Sequence, residues 1–94
     1  MLILSLTYKK PIEEVERHSR THLDWVKEGY ERGLFLASGR KVPRTGGVIL
    51  AKGKRADIEA FLESDPFVIH GIGDYDITEM AVSMTIAGLE ALCD

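Results

Sequence analysis

Alternating segments near both ends of the chain, two stretches of helical period, and two short apolar runs between them predict an α+β fold. Their order is β-α-β-β-α-β, the ferredoxin-like arrangement. In it both helices cover one face of an antiparallel four-stranded sheet. The 94 residues suit a single domain over 1–94 with one modest core.

Residues 2–8 place Leu2, Leu4, Leu6 and Tyr8 on one face and Ile3, Ser5 and Thr7 on the other. That is the period of a strand. Pro11 then suits the first turn of a helix. Over 11–32, Ile12, Val15, Ser19, Leu23, Val26 and Tyr30 form one stripe at i, i+3, i+4 spacing. Glu13, Glu14 and Glu16 near its start suit the helix dipole, and Gly33 supplies its stop.

Residues 34–39 (LFLASG) and 47–52 (GVILAK) read as a strand pair joined by the polar loop 40–46. Residues 55–64 read as the second helix, with Ile58, Phe61 and Leu62 as its apolar stripe. Asp65-Pro66 reads as an N-cap followed by Pro at the first position of a short turn over 66–70. Residues 74–85 alternate again, with Met80, Val82 and Met84 on one face. The tail 86–94 reads as a short helix or a ragged end.

This order leaves one sheet face uncovered by its own chain, and the strands carry apolar groups on both sides in places. An apolar sheet face is usually closed by another subunit. The expected partner is a second copy, packed sheet to sheet as a homodimer.

Hydrophobic residues make up 45% of the chain and charged residues 29%, with a net charge of −3. An acidic chain is ill suited to binding nucleic acid phosphates, which need a positive surface. Arg40, Lys41, Arg44, Lys52, Lys54 and Arg55 cluster mid-chain. They read first as a solvated loop, with attraction of a small anion as the alternative. The single Cys93 offers no internal disulfide, as in a reducing compartment. The starting segment MLILSLTYKK is too short for a membrane span and lacks a signal peptide's basic start. The expectation is a cytoplasmic protein with no membrane partner.

Three residues of the first helix carry possible chemistry. On a helical wheel His22 lies about 60° from the centre of the apolar stripe, with His18 and Trp25 just beyond. Such a strip of imidazole and indole reads as a cleft wall or a subunit contact. The plain alternative is a half-buried histidine bonded to a carbonyl. His18 and His22 share the i, i+4 spacing of zinc ligands. No third ligand is signalled, so no metal is assigned. Asp65 is explained by capping alone, yet a carboxylate held by backbone amides can also orient an imidazole. The small polar Ser5, Thr7 and Ser38, with Gly39, are the remaining candidates for a pocket floor, the plain alternative being that the three polar side chains simply face solvent. Gly46-Gly47 reads as turn geometry and matches no phosphate-binding pattern.

The sequence resembles the YciI-like (YCII-related) family along nearly its whole length. The resemblance is carried by THLDWV with His22, GLFLASG at 33–39, Gly46-Gly47 leading into a strand, SDPF with Asp65, and GIGDYDITEM. It implies a ferredoxin-like fold of the dimeric α/β-barrel group, dimers, and an active site where a His and an Asp lie close. By motif these are His22 and Asp65. One related branch resembles dehydrochlorinases of chlorinated hydroxyquinols, and other members are linked to transcription-related proteins. Family members often read A-G-P where this chain has Ser38-Gly39-Arg40, which changes the charge at the strand end. Arg20 approximates an arginine often found before the His.

The first expectation is therefore an enzyme in which His22 moves a proton and Asp65 orients it. The step would be of the lyase, isomerase or dehydrochlorinase kind on a small enolic or aromatic metabolite. It needs no cofactor. The alternative is a non-catalytic ligand-binding or dimeric interaction module. A third reading, an oxygen-using or haem-handling enzyme, rests on fold analogy alone.

Overall fold

A computed structural model describes residues 1–93, so Asp94, the last residue of the expected tail, lies outside the described residues. The elements are β1 (Leu2–Tyr8), α1 (Ile12–Glu31), β2 (Phe35–Arg40), β3 (Gly46–Ala51), α2 (Arg55–Leu62), α3 (Pro66–Ile69) and β4 (Gly73–Glu79). The strands form one sheet of order β2-β3-β1-β4, and every neighbouring pair is antiparallel. The α+β order expected from the sequence is the order observed.

β1 is central. Leu4 faces Ile49 of β3 on one side and Ile77 of β4 on the other, and Leu6 faces Gly47 and Tyr75. These positions point toward the helices. Leu2, Leu4, Ile49 and Ala51 pack with Trp25, Val26, Phe35, Ile58, Phe61 and Leu62. A second cluster joins Leu6, Val15, Phe67 and Ile72. Each large buried side chain contributes roughly 1.5–3 kcal/mol.

The buried line of α1 differs from the stripe read off the sequence. Val15, Trp25, Val26 and Gly29 are buried, while Ile12, Leu23 and Tyr30 are exposed. Half-buried His22 thus lies within the line of burial, not on its flank. The displacement has a physical cause. The sheet under α1 is open on the Leu23 side, where a cavity replaces packed core.

Two glycines fix local geometry. Gly33 ends α1 with a φ of 72°, which glycine adopts without strain. Gly46 is not the turn glycine expected. A Cβ there would lie 1.7 Å from the Leu6 carbonyl oxygen, so its role is close approach of β3 to β1.

The alternation expected to run to residue 85 stops at Glu79. Met1 and Met80 exchange backbone hydrogen bonds, and beyond that rung residues 81–86 adopt no regular structure. Met80 and Met84 are consequently exposed. Among the described residues of the tail the regular element is a 3₁₀ turn, Glu90–Leu92, where Ala91 O accepts from Lys52 Nζ. Among the described residues no helix is long and apolar enough to cross a membrane.

Candidate functional site

The short α3 begins where the sequence expects it. Pro66 occupies the first turn, and Asp65 caps the helix by accepting from the Phe67 N–H at 2.9 Å. Packing of α3 against α1 then adds a second partner to the same oxygen. His22 Nδ1 lies 2.8 Å from Asp65 Oδ1. β4 adds a third: the Tyr75 hydroxyl donates to Oδ2 at 2.7 Å.

Asp65 has no exposed surface and is the one buried polar or charged residue among the described residues. A buried carboxylate is costly unless paired and hydrogen-bonded. Here three elements supply three donors. A carboxylate can only accept, so this arrangement assigns the Nδ1 proton to His22. Burial, reinforced by the Asp65 charge and hydrogen bond, pushes the Tyr75 hydroxyl well above the ordinary tyrosine range. Tyr75 therefore stays a donor at any physiological pH.

The His22 ring is held on its faces as well as its edge. Phe67 stacks on it with centroids 3.9 Å apart and planes 6° apart. Trp25 lies 5.8 Å away at 26°. The Trp25 indole N–H is itself anchored on Ser64 Oγ at 2.9 Å.

His22 forms part of the wall of a cavity of about 340 Å³ between α1 and the helix-side face of the sheet. Leu6, Val26, Ile49 and Phe67 supply apolar lining, and Tyr75, Ser38 and Gly39 also line it. Ser38 Oγ is shared with the Tyr30 hydroxyl at 2.8 Å.

The remaining candidates lie elsewhere. Ser5 and Thr7 alternate with Leu4 and Leu6 and so occupy the opposite sheet face, away from this cavity. His18 stacks on His70 at 4.2 Å, outside the lining. Trp25 is a core residue outside the lining and meets the site through the His22 and Tyr75 rings. Tyr75 and Phe67 are site residues that the sequence pattern hides. Tyr75 shares a sheet face with Ile77, a face obscured when the segment is phased on Met80, Val82 and Met84. Phe67 is visible only as one letter of the SDPF motif.

A search of the curated proteins finds no match. Among solved structures, the fold is similar to 5-chloro-2-hydroxyhydroquinone dehydrochlorinase from Burkholderia phenoliruptrix AC1100, in complex with 2,5-dihydroxybenzoquinone. The TM-score is 0.69 at 16% identity, covering 85% of this chain and 93% of that one. At that identity the likeness concerns the fold. The YCII-related domain model matches residues 1–81, and the chain belongs to the YCII-related family.

Proposed function

We propose that this protein is a small-molecule enzyme in which His22 transfers a proton and Asp65 holds it in place. The observation that carries the reading is the fully buried Asp65 bonded to Nδ1 of an imidazole that lines a cavity. With Nδ1 committed, Nε2 is the nitrogen left for a ligand. It has no hydrogen-bond partner among the described residues. As base, Nε2 takes a proton from the substrate. The electron pair left behind either expels a leaving group or forms a double bond that is reprotonated at a neighbouring atom. Asp65 stabilises the imidazolium between the two events. Both outcomes are acid–base chemistry of the lyase or isomerase kind. The dehydrochlorinase with the similar fold makes elimination of chloride from an enolic ring the first reaction to test.

The test is turnover of a panel of enolisable and halogenated phenolic compounds by wild type, His22→Ala and Asp65→Asn. Loss of a positioned base costs about 10²–10⁴-fold, so His22→Ala should fall by that factor on any accepted substrate. Absence of turnover across the panel, or equal turnover by His22→Ala, refutes the reading.

One observation favours a second reading: Asp65 caps α3 and would be needed there without any chemistry. A non-catalytic binding module would lose stability, but no ligand affinity, in Asp65→Asn. We also propose a homodimer closed over the open sheet face. That face carries half-buried Ile3 and Leu50, with Ala37 beside them by register.

A further inference from the structure

Three arginines line the cavity from three separate elements: Arg20 on α1, Arg40 at the end of β2, and Arg44 on the β2–β3 loop. No aspartate or glutamate lines it among the described residues. The carboxylate that pairs with one of them is Glu16, whose Oε1 meets Arg44 Nη1 at 2.5 Å. That hydrogen bond, with the positive charges of Arg44 and Arg40, holds the Glu16 carboxyl below the usual carboxylate range. Among the described residues Glu16 is the one carboxylate paired with any of the three guanidinium groups. Asp65 pairs with none of the three arginines: its oxygens accept from Phe67, His22 and Tyr75.

The position of Arg40 follows from register. It pairs with Gly47, the residue that also pairs with Leu6. Arg40 therefore shares the helix-side face with Leu6, and Gly47 brings no side chain between them. Arg44 Nε is buried and has no hydrogen-bond partner among the described residues. Its guanidinium is held by Glu16 at Nη1. A buried N–H donor without an acceptor is unfavourable. Nε itself is enclosed, but the Arg44 side chain as a whole is 28% exposed and lines the cavity, and arginine's planar fork suits a carboxylate.

We infer that the cavity selects a small organic anion, its oxyanion taken by Arg44 and Arg40 and its apolar body packed on Leu6, Ile49 and Phe67 beside His22. The whole chain is acidic at −3, so this selection is local to the cavity. The inference rests on the cavity of the proposed function being the ligand site, and it names the substrate class.

Inert ligands test it apart from catalysis. Titration calorimetry on the full chain would compare 2,5-dihydroxybenzoate with its neutral amide. The acid should bind about tenfold or more tightly, a discrimination of about 1.4 kcal/mol. Raising salt should weaken the acid and leave the amide unchanged. Arg40→Gln, at an exposed position with no ion pair among the described residues, should reduce the preference several-fold, and Arg44→Gln should do so too. Arg44→Lys keeps the charge and removes the fork, so it should recover only part of the preference. Circular dichroism of each variant confirms folding, and Arg40→Gln alone suffices if Arg44→Gln is unfolded. Equal affinity for acid and amide overturns the inference. So does an unchanged preference in the folded arginine variants, or absence of binding by both ligands. If the acid is preferred but no substrate turns over, charge selection stands and proton transfer by His22 falls. If only neutral substrates turn over, proton transfer stands and charge selection falls.

Discussion

His22 Nδ1 and Asp65 Oδ1 are 2.8 Å apart and 43 residues apart in sequence. The oxygen that meets the imidazole is the one that caps α3. One carboxylate therefore ties together α1, α3 and, through Tyr75, β4. A defect there should be felt in folding and in the cavity at once.

Asp65→Ala strands three donors in a buried place and removes a helix cap. A lost cap costs about 1 kcal/mol, and each buried group left unsatisfied about 1–3 kcal/mol. The expected loss is about 3–5 kcal/mol by urea denaturation, against about 1–2 kcal/mol for Asp65→Asn, which keeps one acceptor oxygen. Equal losses in the two variants would mean that shape, not hydrogen bonding, sets the cost.

Tyr75 provides a pH signature. Its folded-state pKa is raised by burial and then by Asp65, so the unfolded chain ionises this hydroxyl first. Its contribution to stability is complete below the unfolded value of about 10 and declines as pH rises beyond it. Relative to Tyr75→Phe, wild type should lose up to about 1.4 kcal/mol per pH unit above about pH 10. Parallel stability curves for the two proteins over that range would contradict the assignment. At neutral pH, Tyr75→Phe should cost about 1.5–3 kcal/mol, as expected for a hydrogen bond to a charged group.

Phe67 clamps the imidazole face-on and is buried in the second core cluster. Phe67→Leu retains most of the volume and should cost about 1 kcal/mol while freeing the His22 ring. The check is the His22 ring signal in NMR, which should shift and broaden. An unchanged signal would show that Asp65 and Trp25 suffice to hold the ring.

Gly46→Ala should be among the most damaging single substitutions in the chain. Its Cβ meets backbone oxygen at 1.7 Å, a clash relieved only by parting β3 from β1. Loss of more than about 3 kcal/mol, or failure to fold, is expected. At Gly47 the nearest atom would be 3.1 Å away, so Gly47→Ala should cost much less. Comparable thermal melts for the two variants would exclude close approach as the reason for Gly46.

The proposed dimer is checked by sedimentation. Leu50→Lys places a charge in the middle of the open face and should yield monomers from a wild-type dimer. A monomeric wild type at tens of micromolar, or a dimeric Leu50→Lys protein, removes the proposal.

The amino-acid sequence by itself determined the elements and their order, because each depends on neighbours close along the chain. Leu2, Leu4 and Leu6 alternate whatever they pack against. Pro66 after Asp65 starts a turn from its own ring and carboxylate. Gly33 ends α1 through its own backbone freedom. The tertiary structure alone decided which candidates meet. His22 reaches Asp65 because α1 and α3 pack together, and Tyr75 joins them because β4 lies beside β1 in a register that pairs it with Leu6. The same alternation that made Ser5 and Thr7 legible as strand residues carried them to the face away from the cavity. Beyond the Met1–Met80 rung the alternating pattern of residues 81–85 found no ladder to join. Periodicity belongs to a segment, whereas pairing and packing belong to the surfaces that segment encounters.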